Sequence, residues 1–132
     1  MQIYLHPQLT VKEVQYAFRK AFPYLKIEFF NEKYALSGRT FPVKKVSNDT
    51  CLIDVKGMMR EGLLEFDPVM TAGELELLFN LKYYLPIQVF RRSGSEWLET
   101  SVTDRLSLAM QNKKGKESTL PEPTLSRGYY EY

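Results

Sequence analysis

The spacing of apolar residues along the chain changes in two stretches, and it changes in the same order in both. An apolar segment that begins at Ile3 ends at Pro7, and a second one that begins at Leu63 ends at Pro68. After each proline the apolar residues recur every three or four positions, and further on they alternate with polar residues. This order predicts a strand, a helix and a second strand in each half of the chain.

The two helices carry the same start signal. Thr10 is followed three residues later by Glu13, and Thr71 is followed in the same way by Glu74. This spacing is a capping box, in which the hydroxyl and the carboxylate satisfy amide groups that the first helical turn leaves without partners. The positions that predict the buried helix faces are Val14, Ala17, Phe18, Ala21 and Phe22 in the first half and Leu75, Leu78 and Phe79 in the second.

Alternating residues predict the strand that follows each helix. Between Leu25 and Phe29 every second residue is apolar, and the same holds between Leu85 and Val89. When Ile3 is aligned with Leu64, the helical and the alternating patterns of the two halves coincide. The second half is one residue shorter than the first before its second strand. The pattern therefore predicts an internal duplication of a β-α-β unit, with repeat units 2–30 and 63–90.

A duplicated unit of this kind predicts an α+β fold. The simplest packing is a two-layer sandwich with both helices on one face of a four-stranded sheet, which is the ferredoxin-like arrangement or a close variant. The spacer 31–62 is long for that fold and contains a strand-like run from Cys51 to Val55. Further strands are therefore expected within the spacer.

The region after the second unit predicts a hairpin and a short helix over 91–112. A two-residue turn at Ser93-Gly94 would place Arg91 opposite Glu96 and Phe90 opposite Trp97. A cap at Thr103 or Asp104 would begin the helix, which is expected to end at Asn112. The chain is then a single domain over 1–112, and the polar, proline-containing residues 113–132 form a C-terminal tail.

Composition fits this picture and restricts the chemistry. The chain has 132 residues, of which 44% are apolar and 26% are charged, and its net charge is +2. That charge gives no general attraction to nucleic acid or to an anionic membrane. No segment approaches the roughly 20 apolar residues of a spanning helix, so no membrane contact is expected. A single cysteine, Cys51, fits a buried position and a reducing, cytoplasmic setting.

The predicted sheet would expose aromatic residues on the face away from the helices. Phe30 and Phe90 are equivalent in the two units, and Trp97 would join them, with Arg91 and Arg92 nearby. Exposed aromatic patches are usually interfaces, so a protein partner or a homodimer is the leading hypothesis. Single-stranded nucleic acid is the alternative, since bases stack on such rings beside basic residues.

His6 and Asp67 occupy equivalent positions before the two prolines. If both lay at one edge of the sheet, the carboxylate could orient the imidazole for proton exchange, and a small ligand-binding protein or enzyme would be a second alternative. The competing interpretation is a pair of polar residues that close strands at surface turns. With one histidine and one cysteine, the usual zinc sites cannot form in a single chain.

The sequence leaves the biochemical role open and favours a non-enzymatic binding or regulatory module. It predicts no catalytic residue, no cofactor and no metal site. The glycines do not gather into a phosphate-binding loop, and Ser93-Gly94-Ser95 joins two strands rather than the strand and helix of a nucleophile elbow.

Overall fold

Each half of the chain contains a strand, a helix and a second strand, in the order that the sequence predicts. The computed structural model describes residues 1–31 and 44–121, together with the backbone at 35–36 and 39–40. Within these ranges the strands are β1 (Gln2–Leu5), β2 (Leu25–Phe29), β3 (Ala35–Leu36), β4 (Arg39–Thr40), β5 (Gly62–Glu65), β6 (Ile87–Ser93) and β7 (Glu96–Glu99). The helices are α1 (Val11–Ala21), α2 (Ala72–Tyr83) and α3 (Leu108–Ser118).

The longer strands form two antiparallel sheets. Strand β1 pairs with β5, and β6 lies between β2 and β7, while β3 and β4 form a separate short pair. This is an α+β architecture that is compatible with a two-layer sandwich. The ferredoxin-like arrangement is not confirmed, because no ladder between described residues joins β1 or β5 to β2 or β6 in a single sheet.

Both predicted capping boxes are confirmed. At the start of α1, the Thr10 N–H donates to the Glu13 carboxylate over 2.8 Å, and the Glu13 N–H donates to the Thr10 hydroxyl over 3.3 Å. At the start of α2, the corresponding distances between Thr71 and Glu74 are 2.9 and 3.0 Å. These contacts are local, so the Thr-x-x-Glu spacing alone is enough to predict them.

Apolar side chains from both helices and both sheets form one core. Phe18 on α1 and Phe79 on α2 are buried at equivalent positions, and the Phe79 ring packs edge-on against Phe29 with 5.8 Å between ring centroids. Tyr83 is also buried, and its hydroxyl donates to the Leu63 carbonyl over 2.7 Å. The core therefore fixes the helices against the strands whose outer residues form the surface described below.

A later segment of the chain holds the start of α1. The Val11 N–H donates to the Thr50 carbonyl over 2.9 Å, and the Leu52 N–H donates to the Leu9 carbonyl over 2.8 Å. These bonds correct the prediction of a strand from Cys51 to Val55. Residues Leu52–Asp54 form a 3-10 turn, and Cys51 is half-buried at an isolated bridge to Thr10.

The start of α2 is held in the same way by the segment before α3. The Ala72 N–H donates to the Leu106 carbonyl over 3.3 Å, and the Leu108 N–H donates to the Met70 carbonyl over 2.7 Å. The two halves therefore share these hydrogen bonds as well as their element order.

Each ladder between the halves contains one pair of equivalent residues. In the β1–β5 pair Ile3 lies opposite Leu64, and in the β2–β6 pair Glu28 lies opposite Gln88. Each of these pairs joins two positions that the sequence alignment of the halves makes equivalent. A twofold rotation that exchanges the halves would therefore map each of these two pairs onto itself.

Two predictions about the C-terminal region need correction. The hairpin turn is Gly94-Ser95, so Arg92 lies opposite Trp97, and Phe90 lies opposite Glu99. Gly94 adopts a φ of +63°, which glycine accepts without a steric penalty. Helix α3 is capped by the Ser107 side chain rather than by Thr103 or Asp104, and it continues past Asn112 into the predicted tail. The tyrosines at the end of that tail lie outside the described residues.

Candidate functional site

The outer face of the β2–β6–β7 sheet carries two of the predicted aromatic residues. Opposite residues of antiparallel strands point to the same side, and Phe90 lies opposite Lys26 while Trp97 lies opposite Arg92. Phe90 and Trp97 therefore share one face, as predicted, although they are not direct neighbours across the hairpin. The corrected register moves the partner of Phe90 by two residues, and a shift of two preserves the side to which a strand residue points.

Three cations surround the Trp97 ring. The Lys26 Nζ lies 4.9 Å from the ring centroid, and the guanidinium carbons of Arg19 and Arg92 each lie 5.1 Å from it. The Lys26 Nζ also lies 5.6 Å from the centroid of Phe90. These five residues, Arg19, Lys26, Phe90, Arg92 and Trp97, are called the cationic aromatic face below. Each contact is attractive because the face of an aromatic ring is negative.

A basic groove runs from this face along α1. Its volume is about 520 Å³, and its lining includes the cations Lys12, Arg19, Lys20 and Lys26 together with one carboxylate, Glu28. Tyr16 also lines the groove, and 68% of the surface of this residue is exposed. The groove therefore combines a surplus of positive charge with an exposed aromatic ring.

Ion pairs with carboxylates hold two of the groove cations in place. The Lys12 Nζ lies 2.9 Å from Asp49 Oδ1, and this hydrogen bond raises the pKa of Lys12 above its ordinary value. The Lys26 Nζ lies 3.0 Å from Glu28 Oε2, which the Lys45 Nζ also approaches at 3.7 Å. Lys12 therefore carries its charge at neutral pH.

The equivalent groove along α2 has the opposite charge. Its volume is about 710 Å³, and its charged lining consists of Glu74, Glu76, Asp104 and Arg105. Three carboxylates thus stand against one cation where the α1 groove has four cations against one carboxylate. The two halves share a framework and differ in the charge that they present.

Phe30 is not part of the aromatic cluster. It is half-buried at an isolated bridge to Lys45, and its N–H donates to the Pro86 carbonyl over 3.0 Å. It follows Lys26 by four residues along β2, so about 13 Å of strand separates it from Phe90. The prediction of one patch that contains all three rings is therefore wrong for Phe30.

Arg91 points to the other side of the sheet. Its Nη1 donates to the side-chain oxygen of Gln111, a fully buried residue of α3, over 2.9 Å. Arg91 and Arg92 are neighbours on one strand, so their side chains take opposite faces. Arg92 belongs to the cationic aromatic face, whereas Arg91 has a structural contact.

His6 and Asp67 lie at opposite ends of the β1–β5 ladder. His6 follows Leu5, which pairs with the first residue of β5, whereas Asp67 lies beyond Glu65, which pairs with the first residue of β1. At about 3.3 Å per residue this separates them by about 15–20 Å, which corrects the expectation of a shared edge. The Asp67 carboxylate accepts hydrogen bonds from the backbone of Val69 and Met70, each over 3.0 Å, and so closes a turn.

The sequence did not identify Arg19, Lys26 or Lys12 as members of the site. Arg19 and Lys12 belong to the polar side of α1, and such a side is commonly solvated. A comparison of the two halves could have identified Arg19 and Lys12, because the residues aligned with them, Asn80 and Gly73, carry no charge.

In the described part of the chain, no group of three or more His, Cys, Asp or Glu side chains is arranged to hold a metal ion. Among the same residues, no helix has both the length and the apolar composition needed to span a membrane.

Comparisons with known proteins give no relative from which a role could be transferred. The chain matches no protein-family model, no curated protein and no solved structure.

Proposed function

We propose that the protein is a binding module that holds single-stranded nucleic acid on the cationic aromatic face. The observation that carries this proposal is the position of Arg19, Lys26 and Arg92 around the Trp97 ring, at 4.9 to 5.1 Å from its centroid. A polyanion with flat rings matches both properties of this surface. Phosphates would pair with the cations, and a base would stack on an aromatic ring.

The basic groove extends this surface beyond one nucleotide. It shares Arg19 and Lys26 with the cationic aromatic face and adds Lys12, Lys20 and Tyr16. A strand that stacks on Trp97 would therefore meet further cations and the exposed ring of Tyr16 along α1. Each stacked base contributes about 1–3 kcal/mol in such sites, so a few contacts are enough for measurable affinity.

A homodimer through the same face has less support. In a twofold dimer each residue near the axis meets its own copy or a close neighbour of it. Three cations of one chain would then face the three cations of the other around Trp97. Like charges in contact repel, so this face suits an anionic partner better than a second copy of itself.

Protein–protein contact remains the second candidate function, at a different surface. The observation that favours it is an exposed apolar stripe on α2, at Leu77 and Leu81. A ligand-binding or enzymatic role at His6 and Asp67 has no comparable support, since the antiparallel ladder separates the two residues.

We also infer that the chain arose by duplication of one β-α-β unit. Three observations support this inference: matching capping boxes, matching hydrogen bonds at the start of α1 and α2, and one pair of aligned residues within each ladder. A ferredoxin-like fold would have required the four strands to join in one sheet. A cytoplasmic location, expected from the single Cys51, remains part of the proposal.

Titration of the single tryptophan with an unstructured oligonucleotide tests the proposal. We expect an oligothymidylate or oligouridylate to quench Trp97 fluorescence at low salt, with binding that weakens as salt increases because phosphate contacts release counterions. A double-stranded oligonucleotide of the same length serves as the comparison and is expected to quench less. Unchanged fluorescence at low salt, together with no change in the anisotropy of a labelled oligonucleotide, would reject the proposal.

A further inference from the structure

Helix α2 is apolar on its outward side as well as on its inward side. Leu75, Phe79 and Tyr83 are buried in the core, whereas Leu77 and Leu81 have 57% and 67% of their surface exposed. Leu78 is half-buried between these two sides. Leu77, Leu78 and Leu81 are called the α2 stripe below. A helix that is apolar on both sides normally has a partner on each.

The β-α-β unit can fold without leucine at these positions. The aligned residues of α1 are Tyr16 for Leu77, Ala17 for Leu78 and Lys20 for Leu81. Helix α1 has the same cap and the same buried positions, yet its outward side carries a phenol and a cation. The α2 stripe therefore reflects a property of the second half that folding of the unit does not explain.

A charged residue of opposite sign stands at each end of the α2 stripe. Glu74 and Lys82 line the same shallow groove as the three leucines, and both are exposed. Their spacing is symmetrical about Leu78, which lies four residues from each. Turning a second α2 by 180° about an axis through Leu78 would bring Glu74 of one chain beside Lys82 of the other, and Lys82 beside Glu74.

We propose that the α2 stripe is a self-association surface, at which two copies of this chain pack their α2 helices antiparallel about a twofold axis near Leu78. The leucines lose contact with water, and two Glu74–Lys82 pairs close the ends of the contact. A parallel arrangement would instead place Glu74 beside Glu74 and Lys82 beside Lys82. Charge complementarity therefore selects both the second copy as the occupant and the direction of its helix.

This dimer goes beyond nucleic-acid binding and does not compete with it. The contact uses α2, whereas the cationic aromatic face and the basic groove use α1 and the β2–β6–β7 sheet. Two copies would present two basic grooves to one strand of nucleic acid. Joining two sites raises the apparent affinity for a ligand that is long enough to reach both.

Sedimentation of the full chain over a range of concentrations tests the proposal. A contact made by one helix from each chain is smaller than a standard interface, so we expect dissociation between about 1 and 500 µM. Leu81→Lys is expected to weaken the dimer at least tenfold. It copies Lys20 of α1, so the variant is expected to fold. Val102→Lys is the matched control, because Val102 is 94% exposed and lies outside the stripe, and it is expected to dimerise like the wild type.

Lys82→Glu tests the direction of the helices. In the antiparallel arrangement this change places two carboxylates at each end of the contact, so the dimer should weaken several-fold at low salt and recover at high salt. In a parallel arrangement the variant would replace one like-charge pair with another and change little. A wild-type chain that stays monomeric throughout, a Leu81→Lys variant that dimerises normally, or a Lys82→Glu variant without a salt-dependent loss would each overturn the proposal.

Discussion

The Gln15 side chain on α1 donates a hydrogen bond to the carboxylate of Glu28 on β2 over 3.2 Å. At the aligned positions of the second half the two residue types are exchanged, and Gln88 on β6 donates to Glu76 on α2 over 2.9 Å. An amide and a carboxylate thus meet between helix and strand in both halves. Either order provides one donor and one acceptor, whereas two carboxylates would provide no donor and would repel each other.

Replacing Gln15 with Glu should therefore destabilise the fold. The variant loses the donor to Glu28 and also the hydrogen bond from Gln15 to the Ile27 carbonyl, which is 2.7 Å long. We expect a loss of about 1–3 kcal/mol in the free energy of unfolding, measured by urea denaturation at neutral pH.

The double variant Gln15→Glu with Glu28→Gln is the matched control. It restores the amide–carboxylate pair in the order found in the second half, so it should recover part of the loss. The Ile27 carbonyl still lacks its donor, and recovery should therefore be incomplete. Equal stability of the single and double variants would show that the pair does not contribute.

The Glu13 capping contact should make stability depend on pH. Hydrogen bonds from the Thr10 backbone N–H and then from its hydroxyl lower the pKa of Glu13 below its ordinary value of 4.5. A carboxyl whose pKa is lower in the folded state stabilises the fold above its unfolded pKa. That contribution is lost as the pH falls through the folded pKa.

Thermal unfolding of the wild type and Glu13→Gln at pH 7 and pH 3 measures this contribution. The glutamine still completes a capping box but does not titrate. We expect the stability advantage of the wild type over the variant to be greater at pH 7 than at pH 3. If the difference were the same at both pH values, the capping contact would not be the source of the pH dependence.

Gly115 should not tolerate alanine although it lies in a helix. A methyl group there would lie 2.9 Å from both the Cβ and the carbonyl oxygen of Tyr24, closer than such atoms normally approach. Helix propensity alone would make the change stabilising by about 1 kcal/mol. We expect a lower unfolding temperature instead, because α3 would have to move away from the residue that precedes β2.

An exposed position on the same helix provides the comparison for Gly115. Lys113→Ala leaves the packing of α3 unchanged and should alter the unfolding temperature little. If Gly115→Ala were as stable as Lys113→Ala or more stable, α3 would not pack against Tyr24 as described.

Alanine variants of Arg91 and Arg92 should have different effects, one on stability and the other on oligonucleotide binding. Arg91 bonds to buried Gln111, whereas Arg92 lies against Trp97 on the outer face. Arg91→Ala should lower the free energy of unfolding by about 1–3 kcal/mol, because it leaves Gln111 without that donor. Once folded, this variant should bind an oligonucleotide like the wild type.

Arg92→Ala is expected to affect binding rather than stability. It should weaken oligonucleotide binding and reduce the slope of affinity against salt by about one counterion. Its unfolding temperature should change little because the side chain is at the surface. Binding losses of equal size in the two arginine variants would indicate that the outer face does not hold the ligand.

Local signals in the sequence predicted the elements well. Each capping box depends on two residues three positions apart, and each strand that follows a helix depends on simple alternation. The Thr10–Glu13 contact and the placement of Phe90 and Trp97 on one face follow from such short-range patterns.

Contacts between distant residues decided the features that the sequence did not predict. The run from Cys51 to Val55 has strand-like residues, yet hydrogen bonds to Leu9 and Pro7 hold it as a 3-10 turn. The separation of His6 from Asp67 depends on the direction in which β1 and β5 pair. The cluster around Trp97 includes Arg19, which lies on a helix far from Trp97 in the chain.

Strand pairing between the halves has a consequence for fragments made by cutting the chain in two. Strand β1 pairs with β5 and β2 with β6, so each half provides the partner for the principal strands of the other. The segment 56–61 that joins the halves lies mainly on the surface. A chain cut within that segment should therefore remain assembled as a complex of two fragments, whereas either fragment alone would present unpaired strand edges and should fail to fold.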